Sequence, residues 1–578
     1  MKRQTLFVFG SQACVPGDPL IAAKELGCQT TVMSQSIPCG LPADLIDHFE
    51  RVDLADTEEI LNTIRSLHRF RPIHAVVGYD DQAVPIVARI AEALGLSGNS
   101  VEAADASRDK VLMKQRFEAA GLPIAPYHLA RDEDDATGWA ARNDYPVVVK
   151  PVRGSASQGV IRADTEQELR EAYRRLRRIV RSQSLDTGGR SDAEQLVEGY
   201  IDGNEYSVEF LIKDGQPHVL CLFEKPQPLH GPFFEETIYI TPTRLSTDRQ
   251  SEIQDLAIRA VQALGLRSGP AHCEIRLSNE GPFVLEIGAR VIGGACSRVF
   301  RYVLDEDIHS YVLRLALGDD IPLPKQRAGA AGAMMLPIPG DGRLLSVSGV
   351  EKARGVPSIK DVIVTASPGE LIIPFPEQNC YVGFLTASAE TPAAVEEALQ
   401  AAAGMIEMDL QPIECECWAR EIEDQLSYQP PPEHHIRTLG DLDTNEARKA
   451  VLPIVASANF GELPPQLSLD EAEKCIRWLE ECNKGETSPS LWLIADGGAA
   501  LGSVCDDTCY VSCLSVIPEH RHTGLGTALM RTLMSIFARQ GQTRMEVIVD
   551  PREPGSSGLF RRLGFTMEVP GEQTCCAC

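Results

Sequence analysis

This sequence contains no long hydrophobic segment. None of its apolar runs approaches the roughly 20 residues that cross a bilayer, and the first run, residues 6–9, is too short for the core of a signal peptide. We therefore expect a cytoplasmic protein with no membrane partner. We interpret residues 6–9 as a first β-strand.

Positive charge is also scarce. The 55 Lys and Arg residues face 82 Asp and Glu residues, which gives a formal net charge of −27. Such a surface repels nucleic acid, so we expect no nucleic-acid partner. The 17 cysteines show no paired spacing of the zinc-site type, and reduced thiols are the better interpretation.

The length of 578 residues exceeds what one hydrophobic core can organise, so several domains are expected. Short apolar runs alternate with helical patterns over residues 5–98, which predicts βαβ units and a parallel sheet. Residues 328–410 are rich in Gly, Ala and Pro and end in a predicted helix at 393–406. Three consecutive prolines at 430–432 indicate a stiff linker.

A Gly- and Ser-rich loop follows the predicted strand at 147–150. Such a loop lets backbone N–H groups approach phosphates closely, and Ser155, Ser157 and Gly159 are the expected contacts. Lys150, at the end of the strand, adds positive charge. Lys110 opens an upstream amphipathic helix, from which it could reach the same phosphates.

Residues 198–209 combine a turn with an alternating strand. Glu198, Tyr200 and Ile201 could offer hydrogen bonds and apolar contacts to adenine, and Glu205 could bind ribose hydroxyls. A plain hairpin would explain this segment if it stood alone.

Two glutamates twelve residues apart are the most specific element. Glu274 and Glu286 lie in strand-like runs, and carboxylates on neighbouring strands form a hard oxygen site for Mg²⁺. Two buried glutamates without a cation would repel each other. Arg290 can hold a carboxylate or an acyl phosphate with its fork of donors, and Gly294 can present an N–H group to a developing oxyanion.

Together these elements resemble the ATP-grasp superfamily over residues 1 to about 410, and most of all its L-amino-acid (dipeptide) ligases and carnosine-synthase-like enzymes. The resemblance implies ATP, Mg²⁺ or Mn²⁺ at Glu274 and Glu286, and small amino acid substrates near Glu236 and Arg290. Two departures concern Gly288, where many members have a third metal ligand, Asn, and Tyr239, where the dipeptide ligases tend to have His.

The expected chemistry is amide-bond formation through an acyl phosphate, with Arg290, Gly294 and Lys150 as catalytic residues. An ATP-grasp carboxylase or another ligase is the alternative. No Met-Lys-Met biotinylation segment is present in the sequence, which disfavours the carboxylase.

The C-terminal region has its own strand and helix pattern. Arg521, Gly524 and Gly526 form an Arg-x-x-Gly-x-Gly turn between a predicted strand and a helix, which suits a pyrophosphate. About 130 residues here resemble the GNAT-type N-acetyltransferases, which implies acetyl-CoA as a substrate. Where that family usually has a proton-donating Tyr, this chain has Phe560, so a non-catalytic acyl-CoA sensor or a dimerisation module is an open alternative. A homodimer is compatible with either.

The overall prediction is a multidomain α/β and α+β chain. A Rossmann-like pre-ATP-grasp domain (1–107), an ATP-grasp domain (108–327) and a small C-terminal lobe (328–412) form the ligase. A linker (413–435), a GNAT-type domain (436–570) and a tail (571–578) follow.

Overall fold

The computed structural model divides the chain into two compact units, residues 1–411 and 412–578. In the first unit the structure describes residues 2–10, 17–35, 37, 41–182, 185–378 and 381–411. In the second it describes residues 414–419, 437–438, 490–495, 498–505, 508–516, 523–539, 544–549, 559–560, 563 and 566–568. Each unit is treated by itself below.

The first unit begins with a parallel sheet of four strands in the order β3-β2-β1-β4. Its elements are β1 (Gln4–Val8), α1 (Gly17–Glu25), β2 (Gln29–Ser34), β3 (His48–Arg51), α2 (Thr57–Phe70), β4 (Ile73–Gly78), α3 (Ala83–Leu94) and α4 (Val101–Arg108). The parallel pairing confirms the βαβ prediction. Ligands of such sheets bind beyond the carboxyl ends of the strands, and here β4 is followed at once by Tyr79, Asp80 and Asp81.

A small α+β layer follows. It comprises α5 (Lys110–Ala119), β5 (Tyr127–Ala130), α6 (Glu133–Asn143), β6 (Val147–Lys150), β7 (Ile161–Ala163), α7 (Glu166–Ser182) and β8 (Gln195–Gly199). The Asp109 carboxylate accepts hydrogen bonds from the N–H groups of Val111 and Leu112. This contact caps α5 and fixes the backbone of Lys110, the first residue of the helix. We call the sheet β5-β8-β6-β7 with α6 and α7 the lid.

An eight-stranded antiparallel sheet, in the order β13-β12-β9-β10-β11-β14-β18-β16, forms the centre of the unit. Its first part contains β9 (Asn204–Lys213), β10 (Gln216–Glu224), β11 (Ile238–Thr241), α8 (Thr247–Leu264), β12 (Gly269–Ser278), β13 (Gly281–Gly288), α9 (Phe300–Val303) and α10 (Ile308–Ala316). Buried apolar residues of β9, β12 and α8 pack together in one hydrophobic cluster.

The remaining elements of the first unit form its C-terminal lobe. They are β14 (Ala330–Met335), β15 (Gly342–Ser348), α11 (Val350–Arg354), β16 (Ile359–Val364), β17 (Leu371–Ile372), β18 (Gly383–Ala389), α12 (Pro392–Ala403) and β19 (Glu407–Gln411). Strands β14, β18 and β16 extend the central sheet, while β17, β15 and β19 form a separate small sheet. The helix expected at residues 393–406 is α12.

The second unit is built on a seven-stranded sheet in the order β21-β22-β23-β24-β25-β20-β26. Its described elements are β20 (Glu414–Ala419), β21 (Arg437–Thr438), β22 (Ser490–Ala495), β23 (Gly498–Cys505), β24 (Thr508–Val516), α13 (Leu525–Arg539), β25 (Arg544–Val549) and β26 (Thr566–Glu568). Strand β20 lies within the stretch that the sequence analysis takes as a linker, yet it pairs with β25 and β26. The other residues of the predicted linker and the predicted tail lie outside the described residues. Arg437–Thr438, which come after the predicted linker, are described.

Among the described residues, no helix is both long and apolar enough to cross a membrane.

The lid is tied to the C-terminal lobe by a few polar contacts. Arg175 of α7 donates two hydrogen bonds to the Glu377 carboxylate, at 2.6 and 2.9 Å. Nearby, the Gly159 N–H donates to the Pro376 carbonyl at 2.9 Å, and the Gln158 side chain donates to the Glu377 carbonyl at 2.8 Å. These contacts hold the Gly/Ser loop in place at the base of the lid.

We expect Glu377→Gln to lower the free energy of unfolding by about 1 to 3 kcal/mol, because it removes one partner of a bidentate pair that is mostly buried. Glu351→Gln is the matched control, since the Glu351 and Arg354 side chains are 83% and 51% exposed and such pairs contribute about 0.5 kcal/mol or less. Urea unfolding of the full chain measures both. Equal losses in the two variants would contradict the prediction.

Candidate functional site

A single cavity of about 820 Å³ in the first unit brings most of the sequence-predicted site residues together. The residues from that set that line it are Lys110, Lys150, Ser155, Ser157, Glu198, Tyr200, Ile201, Glu205, Glu236, Glu274, Glu286, Arg290 and Gly294. Gly159 is not among the lining residues, and its N–H group is bonded to Pro376. The cavity is bounded by the parallel sheet, the lid, the central sheet and the C-terminal lobe.

Three buried lysines lie at the lid end of the cavity. Lys110 forms an ion pair with Glu286 at 3.1 Å and donates to the Gly154 carbonyl at 3.0 Å. Lys114, one turn further along α5, forms an ion pair with Glu198 at 2.6 Å, and Lys150 forms an ion pair with the same carboxylate. Burial alone would raise the pKa of Glu198, but Lys114 and Lys150 outweigh it and lower that pKa to about 2. Glu198 is therefore a carboxylate that orients two lysines.

The segment after Glu198 is arranged around Arg276 of β12. Its guanidinium donates to the Ile201 carbonyl at 2.9 Å and to Glu205 at 3.1 Å. It also lies 5.1 Å from the centre of the Tyr200 ring, in cation–π contact. Arg276 thus contacts Tyr200, Ile201 and Glu205, three of the four residues predicted from the sequence to bind adenine and ribose.

Glu274 and Glu286 lie opposite each other on β12 and β13, as partners in the antiparallel register. The sequence prediction of neighbouring strands is confirmed. Both carboxylates reach the cavity, and each touches a lysine: Glu286 touches Lys110 at 3.1 Å, and Glu274 touches Lys225 at 2.8 Å. A pair of carboxylates on adjacent strands is a donor set that fits a hard divalent cation.

Lys225 lies at the centre of a buried charge cluster. Its buried ammonium group forms ion pairs with Glu205, Glu236 and Glu274. The carboxylates of these three residues lie within 4.8 Å of one another, a spacing that could also hold a metal ion. The Lys225 ammonium group already lies among them, so this cluster has a cation of its own.

The carboxylates of this cluster differ in their protonation. Burial raises the pKa of Glu236, and the neighbouring Glu274 adds to that rise. Burial also opposes ionisation of Glu274, but Lys225 and then His272 hold its pKa well below the usual value. His272 bonds to Glu209 at 2.6 Å, and although burial alone would lower its pKa, the Glu209 carboxylate raises it to about 10. Glu274 is therefore ionised, as a metal ligand must be.

Arg290 follows β13 and is held by the parallel sheet. Its guanidinium donates two hydrogen bonds to one oxygen of Asp81, at 2.8 and 3.0 Å. At Gly288, where a third metal ligand is missing from the sequence, a Cβ atom would lie 3.3 Å from the Asp81 carboxylate, a tight contact that a small shift of Asp81 would have to relieve. Gly294 has a φ of +61°, and a Cβ atom there would lie 2.9 Å from the Phe384 ring. Only glycine fits this position without rearrangement.

Glu236 and Tyr239 contact each other in the wall of the cavity. The Tyr239 hydroxyl donates to the Glu236 carboxylate at 2.6 Å, and the Tyr381 hydroxyl donates to the Glu236 carbonyl at 3.0 Å. Tyr239, which the sequence analysis notes as a departure, therefore orients Glu236.

In the second unit, Gly524 and Gly526 lie at the start of α13. Gly524 has a φ of +89°, a conformation that favours glycine. Phe560 is buried in the core of this unit. Arg521, the third residue of the predicted pyrophosphate turn, lies outside the described residues.

Sequence reasoning missed four residues of the site: Lys114, Lys225, Arg276 and Asp81. Lys114 had a signal, because it lies four residues after Lys110 and so on the same helix face. Lys225 and Arg276 had none, since their carboxylate partners come from other strands.

Comparison with known proteins gives four domain matches. An ATP-grasp N-terminal domain matches residues 20–98, an ATP-grasp domain matches 143–299, an L-amino acid ligase C-terminal domain 2 matches 334–411, and the acetyltransferase (GNAT) family matches 458–565. The chain carries the domains of an ATP-grasp L-amino acid ligase and a GNAT acetyltransferase domain. The sequence-based resemblance is confirmed at this level, and so is the predicted fold class.

Similar proteins support the same assignment. The uncharacterized protein y4rH of Sinorhizobium fredii is 27% identical over 66% of this chain and 76% of its own length. The alanine–anticapsin ligase of Bacillus subtilis (strain 168) is 25% identical over 46% of this chain and 59% of its own length. The crystal structure of the L-amino acid ligase from Bacillus licheniformis matches with a TM-score of 0.59 and 27% identity, covering 71% of this chain and all of that one.

We expect Lys225→Met to lower the free energy of unfolding by about 3 to 5 kcal/mol at pH 7, because it leaves three buried carboxylates without their shared cation. Repulsion raises the pKa values of those carboxylates in the folded variant above their unfolded values. The deficit is therefore present near pH 7 and shrinks as the pH falls through the raised values. Urea unfolding at pH 7 and pH 5 measures this change.

The matched control for this variant is Lys213→Met. Lys213 pairs with Asp320, whose side chain is 97% exposed, so its removal should cost about 1 kcal/mol or less at either pH. A deficit for Lys225→Met that stays constant between the two pH values would contradict the electrostatic explanation.

Proposed function

We propose that the first unit joins the carboxyl group of one amino acid to the amino group of another compound, using ATP to form an acyl phosphate. The observation that carries the proposal is the pairing of Glu274 with Glu286 in a cavity that is also lined by Arg290, Lys110 and Lys150. The name of the similar alanine–anticapsin ligase states that it joins alanine to anticapsin, which supports the choice of an amino acid substrate.

The nucleotide would occupy the lid end of the cavity. There, the Gly154–Gln158 loop, Lys110 and Lys150 line the wall, and backbone N–H and ammonium groups of these residues would neutralise phosphate charge. In the structure Lys110 pairs with Glu286 and Lys150 pairs with Glu198, and these carboxylates orient the two ammonium groups. Nucleotide phosphates would bind the ammonium groups together with these carboxylates or in place of them. Tyr200, Ile201 and Glu205 would contact the nucleoside.

The substrate carboxylate would lie between the γ-phosphate and Arg290. One carboxylate oxygen attacks the γ-phosphorus, the bond to the β-phosphate oxygen breaks, and ADP leaves. The amine then attacks the acyl carbon and expels inorganic phosphate. Arg290, held by Asp81, and the N–H group of Gly294 would balance the charge that develops on the acyl group. Glu236 would bind a substrate amino group.

A divalent cation, Mg²⁺ or Mn²⁺, would be held by Glu274 and Glu286. When bound, it would neutralise phosphate charge during transfer. The donor set fits such an ion because both ligands are carboxylates that reach the cavity from adjacent strands.

The closed arrangement of the lid supports this chemistry, since an acyl phosphate is lost if water reaches it first. Arg175 and Glu377 fasten the lid to the C-terminal lobe at a point next to the Gly/Ser loop. We infer that opening of this contact admits nucleotide and that its re-formation excludes water.

We expect Glu286→Gln to lower amino-acid-dependent phosphate release by at least about 100-fold, because it removes a carboxylate from the metal and an anchor from Lys110. Glu280→Gln in the turn between β12 and β13 is the matched control, since Glu280 is exposed, and it should keep full activity. Phosphate release is measured from ATP and Mg²⁺ with single and paired amino acids, and products are identified by mass.

A product with the summed mass of two amino acids minus water would support the ligase. If no pair stimulates release in the wild type above the Glu286→Gln background, the amino acid ligase is overturned. Release that instead depends on bicarbonate would favour a carboxylase.

We also propose that the second unit binds acetyl-CoA through the turn that precedes α13 and transfers the acetyl group to an amine. The positive φ of Gly524 at a helix start supports pyrophosphate binding. Phe560 cannot donate a proton, so the departing thiolate would need another acid. If none is present, the unit binds acyl-CoA without catalysing.

We expect Gly524→Ala to weaken acetyl-CoA binding by about tenfold, because alanine is strained at a φ of +89° and would displace the turn. Ala528→Gly on the following turn of α13 is a control that changes a helix residue of similar size without altering the turn. Isothermal titration with acetyl-CoA measures both. Equal affinity in the wild type and Gly524→Ala would remove the turn from the binding site.

A further inference from the structure

Two buried polar side chains line the cavity without a role in the mechanism above. Among the described residues, neither the Tyr79 hydroxyl nor either ring nitrogen of His309 has a hydrogen-bond partner, although all three atoms are buried. Both residues line the cavity, and their rings pack edge to face with centres 5.1 Å apart. Buried polar atoms nearly always have a hydrogen-bond partner, so three buried atoms without one on the same cavity wall need an explanation.

The two residues come from the end of β4 and from α10, which pack against each other. Tyr79 directly follows β4, two residues before the Asp81 that holds the Arg290 guanidinium. His309 is in the first turn of α10, after the capping residue Asp307. The wall they form is thus at the carboxyl end of the parallel sheet, where ligands of such sheets bind.

The charged groups that act on His309 are paired with one another. Asp18 accepts two hydrogen bonds from Arg298, at 2.7 and 2.9 Å, and Arg301 pairs with Asp307 at 2.7 Å. Phe9, Met335 and Phe384 belong to the hydrophobic cluster against which Tyr79 packs, and all three also line the cavity.

Both groups are neutral. Burial lowers the pKa of His309, against the opposing pull of Asp307 and Asp18, and burial raises the pKa of Tyr79. A neutral imidazole offers one donor and one acceptor, and a phenol hydroxyl can act as either. The wall therefore offers hydrogen bonds of both kinds but no net charge.

We propose that Tyr79 and His309 form a subsite that binds the side chain of an amino acid substrate carrying an uncharged hydrogen-bonding group, a carboxamide or a hydroxyl. This inference rests on the proposed ligase function. An apolar side chain of the same shape would leave the Tyr79 hydroxyl and the His309 nitrogens unpaired, and a buried group left unpaired costs more than a hydrogen bond gains. The subsite therefore discriminates against apolar isosteres.

The test compares substrates that match in shape and differ in polarity: Asn with Leu, Gln with Met, and Thr with Val. Each is offered with a common partner amino acid, and kcat/KM is measured from phosphate release and product mass. In the wild type, we expect the polar member of at least one pair to be preferred by about tenfold or more. In Tyr79→Phe and in His309→Leu, that preference should fall about fivefold or more, while kcat/KM for the apolar member stays within about twofold.

Tyr145→Phe is the matched control. Its hydroxyl is also buried without a partner among the described residues, but Tyr145 does not line the cavity. This variant should leave the preference unchanged. Tyr79→Phe removes no hydrogen bond of the free protein, so its unfolding temperature should equal or exceed that of the wild type, which separates loss of recognition from loss of folding.

Three results would overturn the subsite alone while the ligase stands. In the first, the wild type ligates amino acids but prefers the polar member of no pair. In the second, Tyr79→Phe and His309→Leu both keep the wild-type preference, and in the third, the variants lower kcat/KM equally for the polar and the apolar members. Absence of amino-acid-dependent phosphate release in the wild type would overturn the proposed function, and the subsite with it.

Discussion

The ammonium group of Lys225 holds together three carboxylates to which the proposed function gives different tasks. Glu205 would contact the nucleoside, Glu274 the metal ion and Glu236 the substrate, and all three carboxylates contact this one cation. Separate carboxylates at this spacing would repel one another strongly when buried. The position of each therefore depends on a residue that itself needs to touch neither ATP nor substrate.

The same principle of compensation extends along the whole cavity. Glu198 is shared by two lysines, Glu286 pairs with Lys110, and Asp81 pairs with Arg290. Long cationic side chains lose much rotamer freedom when they bind a ligand, and here that freedom is already restricted before the nucleotide arrives. The site is preorganised by internal ion pairs, which favours the binding of a polyanion to lysines that already point into the cavity.

The sequence predicts those parts of the site that lie close together along the chain. The pairing of the strands that carry Glu274 and Glu286 and the βαβ sheet both follow from local patterns, and the structure contains both. The partners that tune these residues are distant: Lys225 is 49 residues from Glu274, and Asp81 is 209 residues from Arg290. No local pattern specifies such pairs. A local pattern can also mislead. Gly159 is predicted as a phosphate contact, but its N–H group donates to the Pro376 carbonyl and not into the cavity.

The division of labour between the two sheets has a consequence for specificity. Glu274 and Glu286 come from the central antiparallel sheet, whereas Tyr79 and Asp81 come from the end of β4 in the parallel sheet. Asp81 donates no proton but accepts two hydrogen bonds from Arg290, whereas Tyr79 contributes its ring to the cavity wall. If the proposed function holds, substitutions at Tyr79 would alter the wall that binds the substrate side chain, while Glu274 and Glu286 would keep their own ion pairs with Lys225 and Lys110. Such an arrangement would allow the substrate to change without a change in the residues that activate it.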